Sequence, residues 1–225
     1  MDNRIMAEYS QEPTEEYMAH LKHREGTLNV IYKDSLGKPT GGTGHLMTDA
    51  DKKSYGIDGD TKYVDHKIEG ITYKVATDKE GNIITLDKDD MSDWLTKDSK
   101  KAYSSAISQA KGFGISDQKM INALGAVNFQ LGSNWKDKGF TNTWAALKSG
   151  NFDLAASEAT FQNTGATGNV FSLDRTKQVG TSDWAYQTPD RVQDFTTALR
   201  GYGVRRDIDL LDHDKVTMST VEPPP

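Results

Sequence analysis

The sequence predicts an α+β fold, and three observations predict it. Short apolar runs that alternate with polar residues, bounded by turn residues, fall before about residue 86. Apolar residues at helical spacing dominate from residue 87 onward. Strands thus cluster early and helices late, which suits a small mixed lobe followed by a larger helical lobe.

The elements follow in order. Thr14 to Arg24 carries Tyr17, Met18 and Leu21 on one helical stripe, with Thr14 as N-cap, glutamates in the first turn and an end near Gly26. Leu28, Val30 and Tyr32 alternate as in a strand. Asp34, Ser35 and Gly37 signal a turn, and Pro39 to Gly44 reads as a tight glycine-rich return. Residues 49–83 are polar and punctuated by glycines, and 67–77 (KIEGITYKVAT) reads as a strand pair or edge strand. Asp87 opens a long helix to about Ala110, with Met91, Trp94, Leu95, Ala102, Tyr103, Ala106 and Ile107 as its stripe. Shorter helices are expected over 117–131, 142–148 and 152–159. Residues 161–183 read as a loop excursion, and Pro189 to Leu199 as a last helix with proline in its first turn. The polar stretch after Gly203, ending in three prolines, is expected to be poorly ordered or a linker.

Composition narrows the function. There is no cysteine, hence no disulfide framework and no thiolate metal site. No apolar run is long enough to cross a membrane, and the first residues lack a charged-then-apolar leader pattern. A protein made and kept in a cytoplasm is expected, unless another system exports it. The net charge of -6 argues against nucleic acid as the main partner, because phosphates call for a basic face. The acidic excess sits in residues 1–24, 49–83 and 204–225.

Glu25 and Asp34 stand nine residues apart, one at a helix end and one on the hairpin after it. Two carboxylates flanking one bond are what glycosidic hydrolysis needs: one protonates the leaving oxygen, the other activates water or attacks the sugar. Spacing alone is weak evidence, because most such acids are solvated surface groups. Asp58, Asp60 and Glu69 occupy positions 1, 3 and 12 of an EF-hand-like window, but Lys62 and Tyr63 stand where an oxygen ligand and glycine are wanted, so a solvated loop is the better reading. GGTGH lacks the lysine of a phosphate-binding loop, and no HExxH is present.

Four ordered segments carry a resemblance: EGTLNVIYKDSLGKPTGGTGH (25–45), NFQLG (128–132), GFTNT (139–143) and WAYQTPDR (184–191). Together they resemble the phage-type lysozymes, glycoside hydrolase family 24, over residues 14–203. The resemblance implies two lobes with a cleft between them: a mixed lobe about 14–86, a connecting helix about 87–111 and a helical lobe about 112–203. Residues 1–13 and 204–225 would be polar extensions. It implies peptidoglycan as substrate, cleavage of the β-1,4 bond between N-acetylmuramic acid and N-acetylglucosamine, and no cofactor or metal. Glu25 would be the general acid, and Asp34 and Thr40 would hold the attacking water. Inversion would place the carboxyls roughly 6.5–9.5 Å apart.

By the same resemblance His45 and Asp98 form a structural ion pair, and Arg191 lies near the acid. Leu46, Phe129 and Thr143 line the cleft, with Gln130 beside them. The four tryptophans read as mostly core, with Trp184 nearest the site. A monomer is expected, without stable membrane insertion. It would act from the host cytoplasm through a holin-like pore, or as part of the virion.

The sequence also departs from the family. Gly41 replaces a bulkier apolar residue, which predicts a looser return strand, and Glu158 falls near a position often held by an amide. Residues 46–83 and 161–183 read as insertions that reshape the cleft mouth or are inert surface. The acidic balance differs from the basic character of many relatives. Two other readings stand beside hydrolysis: a non-catalytic wall-binding or virion structural module, and a lytic transglycosylase.

Overall fold

The structure, a computed structural model, describes residues 10–161 and 183–218; for 183, 186 and 208–218 it describes the backbone alone. The fold is α+β, with one five-stranded antiparallel sheet and a larger share of helix. Two compact units are distinguished: one is Glu15–Lys101, and the other takes in the described residues of Met1–Thr14 and Ala102–Pro225.

The first unit begins with α1 (Glu15–Glu25), which buries Tyr17 and Leu21. Strands β1 (Leu28–Lys33), β2 (Pro39–Gly42) and β3 (His45–Leu46) follow, then a short helix α2 (Asp49–Ser54). A long hairpin, β4 (Lys62–Ile68) and β5 (Ile71–Thr77), completes the sheet in the order β3-β2-β1-β5-β4. The alternation expected of β1 is broken. Its register slips between Leu28 and Tyr32, so Val30 and Ile31 are both buried and Ile31, outside the expected stripe, is a core residue. A bulge breaks the two-residue alternation of a regular strand, so burial no longer falls on every second residue.

One face of the sheet packs into a core of Ile31, Met47, Ile57, Ala76, Leu86 and Trp94, with Tyr55, Tyr63, Ile84 and Met91 against it. Much of this core comes from 46–83, so that segment is not inert surface. It supplies Met47, Ile57 and Ala76 and contains α2, which the sequence reading missed. Helix α2 is held by a capping box in which Thr48 and Asp51 satisfy each other's backbone N–H groups. The return strand is not loose either. A Cβ on Gly41 would stand 2.7 Å from Leu86 Cδ1, so Leu86 fills the space of the expected side chain.

Helix α3 (Lys88–Phe113) opens with Asp87 Oδ1 accepting from the backbone N–H of Asp89. The division between units falls within it, after Lys101. In the second unit come α4 (Gln118–Leu131), a 3-10 turn (Trp135–Lys138), α5 (Thr141–Lys148), α6 (Phe152–Thr160), α7 (Asp183–Gln187) and α8 (Pro189–Met218). Asp117 caps α4 through Met120 N. The expected loop at 161–183 lies, from 162 to 182, outside the described residues. The expected end of the last helix is corrected: α8 runs on through Gly201 and Gly203 to Met218. Polarity alone does not stop a helix. Each glycine costs about 1 kcal/mol, and the next proline is not met until Pro223.

The second unit packs around Trp135, which meets Phe140, Trp144 and Phe195 at centroid distances of 5.7, 4.9 and 6.3 Å. A buried amide network sits beside it. Asn128 Oδ1 accepts from Gln109 Nε2 and Trp135 Nε1, while Asn128 Nδ2 donates to Gln109 Oε1 and to the Ala102 carbonyl. Asn128 and Gln109 thus satisfy each other with the indole closing the set, as buried amides require.

Candidate functional site

Glu25 is the last residue of α1 and is half-buried. A Cβ on Gly44 would lie 3.6 Å from Glu25 Oε2, so the carboxylate rests against the bare backbone of the return. Gly44 also has φ +75°, a left-handed conformation that glycine adopts without strain. The backbone conformation, rather than the spacing to Glu25, asks for glycine at this position.

Asp34 begins the hairpin turn. Its Oδ1 accepts from Leu36 N at 2.9 Å and Lys38 N at 2.8 Å, while its own N–H donates to the Lys38 carbonyl. This turn uses Oδ1 and not Oδ2. Thr40 lies on β2, is buried, and donates its hydroxyl to the Lys38 carbonyl at 3.1 Å, leaving its oxygen able to accept.

Tyr32, which sequence reasoning passed over as a strand residue, ties these groups together. In the ladders it stands directly opposite Thr40 on β2 and Val75 on β5. Its phenol is pushed up to about 12, by burial first and then by Tyr73 and the charges of Glu25 and Asp34. The two acids therefore act on one hydroxyl that faces the threonine's side of the sheet. The YKD run within 25–45 was the available signal, since residues 32 and 34 share one face of a strand.

His45 is buried on β3. Its Nδ1 stands 2.6 Å from Asp98 Oδ2, its Nε2 stands 3.1 Å from Asp51 Oδ2, and its ring stacks on Trp94 at 4.5 Å. Carboxylates accept and do not donate, so a ring bonded to two of them carries both protons. Burial works against that charge, but the bonds to Asp98 and Asp51 outweigh it and raise the imidazole above its ordinary value. For Asp51 burial is likewise opposed. Bonds from the Thr48 hydroxyl, His45 and the Thr48 N–H hold its carboxyl down to about 2. Asp51 is a partner the sequence reading did not find, although the Thr48–Asp51 capping spacing would have flagged it.

The remaining candidates are placed as follows. Leu46 on β3 is half exposed. In the second unit Gln130 Oε1 accepts from Trp184 Nε1 at 2.8 Å, and its Nε2 donates to Thr188 Oγ1 at 3.2 Å. Phe140 meets the Trp184 ring edge-on at 5.4 Å. These contacts bring NFQLG, GFTNT and WAYQTPDR together. Phe129 is half-buried on α4, and Arg191 lies in the first turn of α8. Thr143 is buried, with no partner for its hydroxyl among the described residues. Glu158 accepts from Asn142 Nδ2.

No metal-binding cluster occurs among the described residues. Asp58 accepts from Asp60 N and the Thr61 hydroxyl in a local turn, while Glu69 stands at the far end of β4. That seven-residue strand spans roughly 23 Å, too far for the two to share a cation. The chain matches no protein-family model, and no curated protein matches it.

Proposed function

We propose that this protein is a peptidoglycan muramidase of the phage-type lysozyme kind, cutting the β-1,4 bond between N-acetylmuramic acid and N-acetylglucosamine. The observation that carries the reading is the grouping of Glu25, Asp34 and Thr40 about Tyr32. The resemblance of four ordered segments to the family supplies the substrate class.

In this reading Glu25 protonates the leaving glycosidic oxygen as the bond breaks. Asp34, through Oδ2, accepts a hydrogen bond from a water on the opposite side of the sugar. Thr40 fixes that water through the free lone pairs of its hydroxyl. The water adds at the anomeric carbon, its proton passes to Asp34, and the product is inverted. Tyr32 stays protonated at neutral pH, so it adds no negative charge beside the two acids. His45, Asp98, Asp51 and Trp94 hold the β3 return that supports Gly44.

The test is release of reducing ends from purified peptidoglycan. Glu25→Gln should lower the rate by about two to four orders of magnitude, the usual worth of a general acid, without loss of folding. A folded Glu25→Gln protein with the wild-type rate removes the mechanism. Mass spectrometry of the muropeptides separates hydrolysis, which leaves reducing muramic acid, from transglycosylation, which leaves anhydro ends.

A wall-binding module without hydrolysis is the second reading, favoured by the engagement of Asp34 Oδ1 in a local turn. Binding without release of reducing ends would establish it.

A further inference from the structure

The hairpin β4–β5, which lies between α2 and α3 in the chain, carries its register into the candidate site. Tyr32 stands opposite Val75, and Val75 stands opposite Val64. Thr40 stands opposite both Tyr32 and Leu46. One row, Leu46–Thr40–Tyr32–Val75–Val64, therefore crosses all five strands on one face. This face lies opposite the one that packs Ala76 and Tyr63 into the core.

A second row runs beside the first. Tyr73 stands two residues before Val75 on β5, on the same face, and its ring meets Tyr32 edge-on at 5.5 Å. Tyr73 is paired directly with His66 on β4. Tyr32, Tyr73 and His66 thus form a line that leaves the candidate group and ends on β4, two strands from β1 and about 10 Å on at the usual strand spacing.

We propose that Tyr73 and His66 form a further glycan subsite, which holds a sugar ring of the same strand one or two residues from the bond at Glu25 and Asp34. This rests on the muramidase reading. The chemistry of the row favours a sugar. A pyranose presents a C–H face that packs on an aromatic ring, and hydroxyl and acetamido groups at its rim that hydrogen-bond. Tyr73 supplies the ring, and the exposed His66 supplies a polar group beside it. Val64, 43% exposed, and Ile71, 58% exposed, leave apolar surface around them. Pairing of the β4 edge with a second copy is disfavoured, because Lys62, Asp65 and Lys67 place charges along it.

The experiment uses the full chain in two backgrounds. In the active protein, Tyr73→Ala should raise KM for long glycan strands about tenfold and leave kcat within twofold. KM for a disaccharide-length substrate, which does not reach the subsite, should not change. Tyr73→Phe should behave as wild type. In the Glu25→Gln background, Tyr73→Ala should weaken binding of soluble peptidoglycan glycan strands by a similar factor.

Unchanged KM and binding in a folded Tyr73→Ala protein overturn the subsite, as does an equal loss for short and long substrates. If Tyr73→Ala does not fold, His66→Ala on the exposed edge strand gives the same length-dependent readout, and no length dependence there overturns the proposal. Dimerisation abolished by His66→Ala would assign the row to a second copy and also overturn it. Failure of the muramidase reading looks different: the Glu25→Gln protein hydrolyses normally, or the wild type releases no reducing ends.

Discussion

Asp34 offers two roles that one substitution can separate. Its Oδ1 holds the hairpin by accepting from Leu36 N and Lys38 N, and the proposed chemistry uses its charge at Oδ2. Asp34→Asn keeps an acceptor oxygen for both backbone donors and removes the charge. Asp34→Ala removes both. Each bond contributes about 0.5–1.5 kcal/mol net, so alanine should cost roughly 1–3 kcal/mol and asparagine less than about 1. At about 2–4 °C per kcal/mol for a chain of this size, the alanine protein should melt several degrees lower and the asparagine protein close to wild type. Activity should not follow stability. Both variants should lose about two to four orders of magnitude in reducing-end release. The paired assay is thermal melting by circular dichroism beside hydrolysis of purified peptidoglycan. Full activity in Asp34→Asn, with stability and activity lost together in Asp34→Ala, would refute the reasoning and leave Asp34 as a turn residue.

Three further outcomes are expected. Because the folded His45 titrates above its ordinary 6.5, its contribution is complete below that pH and lost as pH rises through the raised value. Asp51, held at about 2 against 3.8, contributes above 3.8 and loses it as pH falls towards 2, so Tm against pH should peak between those limits and His45→Gln should flatten the alkaline side. Asn128→Leu removes the bonds that Trp135 Nε1 and Gln109 Oε1 make in the core, and urea unfolding should show a loss of about 2–4 kcal/mol. Gly41→Ala forces Leu86 Cδ1 from 2.7 Å and should cost about 1–3 kcal/mol in the wild type but little in a Leu86→Ala background; an equal cost in both would show that the two do not compete for one space.

The sequence alone determined those features whose causes act over a few residues. The N-terminal helix, the Asp34 turn, the long helix after Asp87 and the helix over 117–131 rest on spacing, turn chemistry and capping, all written locally. The candidate acids were legible for the same reason, because Glu25 to His45 is one continuous stretch. Polarity misled at the end of α8, since it reports solvent exposure and not helix termination.

Tertiary structure alone decided what depends on distant strands. The bulge that buries Ile31, Leu86 in the place of a Gly41 side chain and Asp51 as the second partner of His45 are three such cases. Tyr73 packed on Tyr32 is the fourth. Each joins residues brought together by the packing of the sheet with the segments around it. A one-residue slip in the strand pairing would turn every side chain of the row to the opposite face. The two acids were visible as letters, but Tyr32, and the hairpin that extends the row beyond it, became visible only once that register was known.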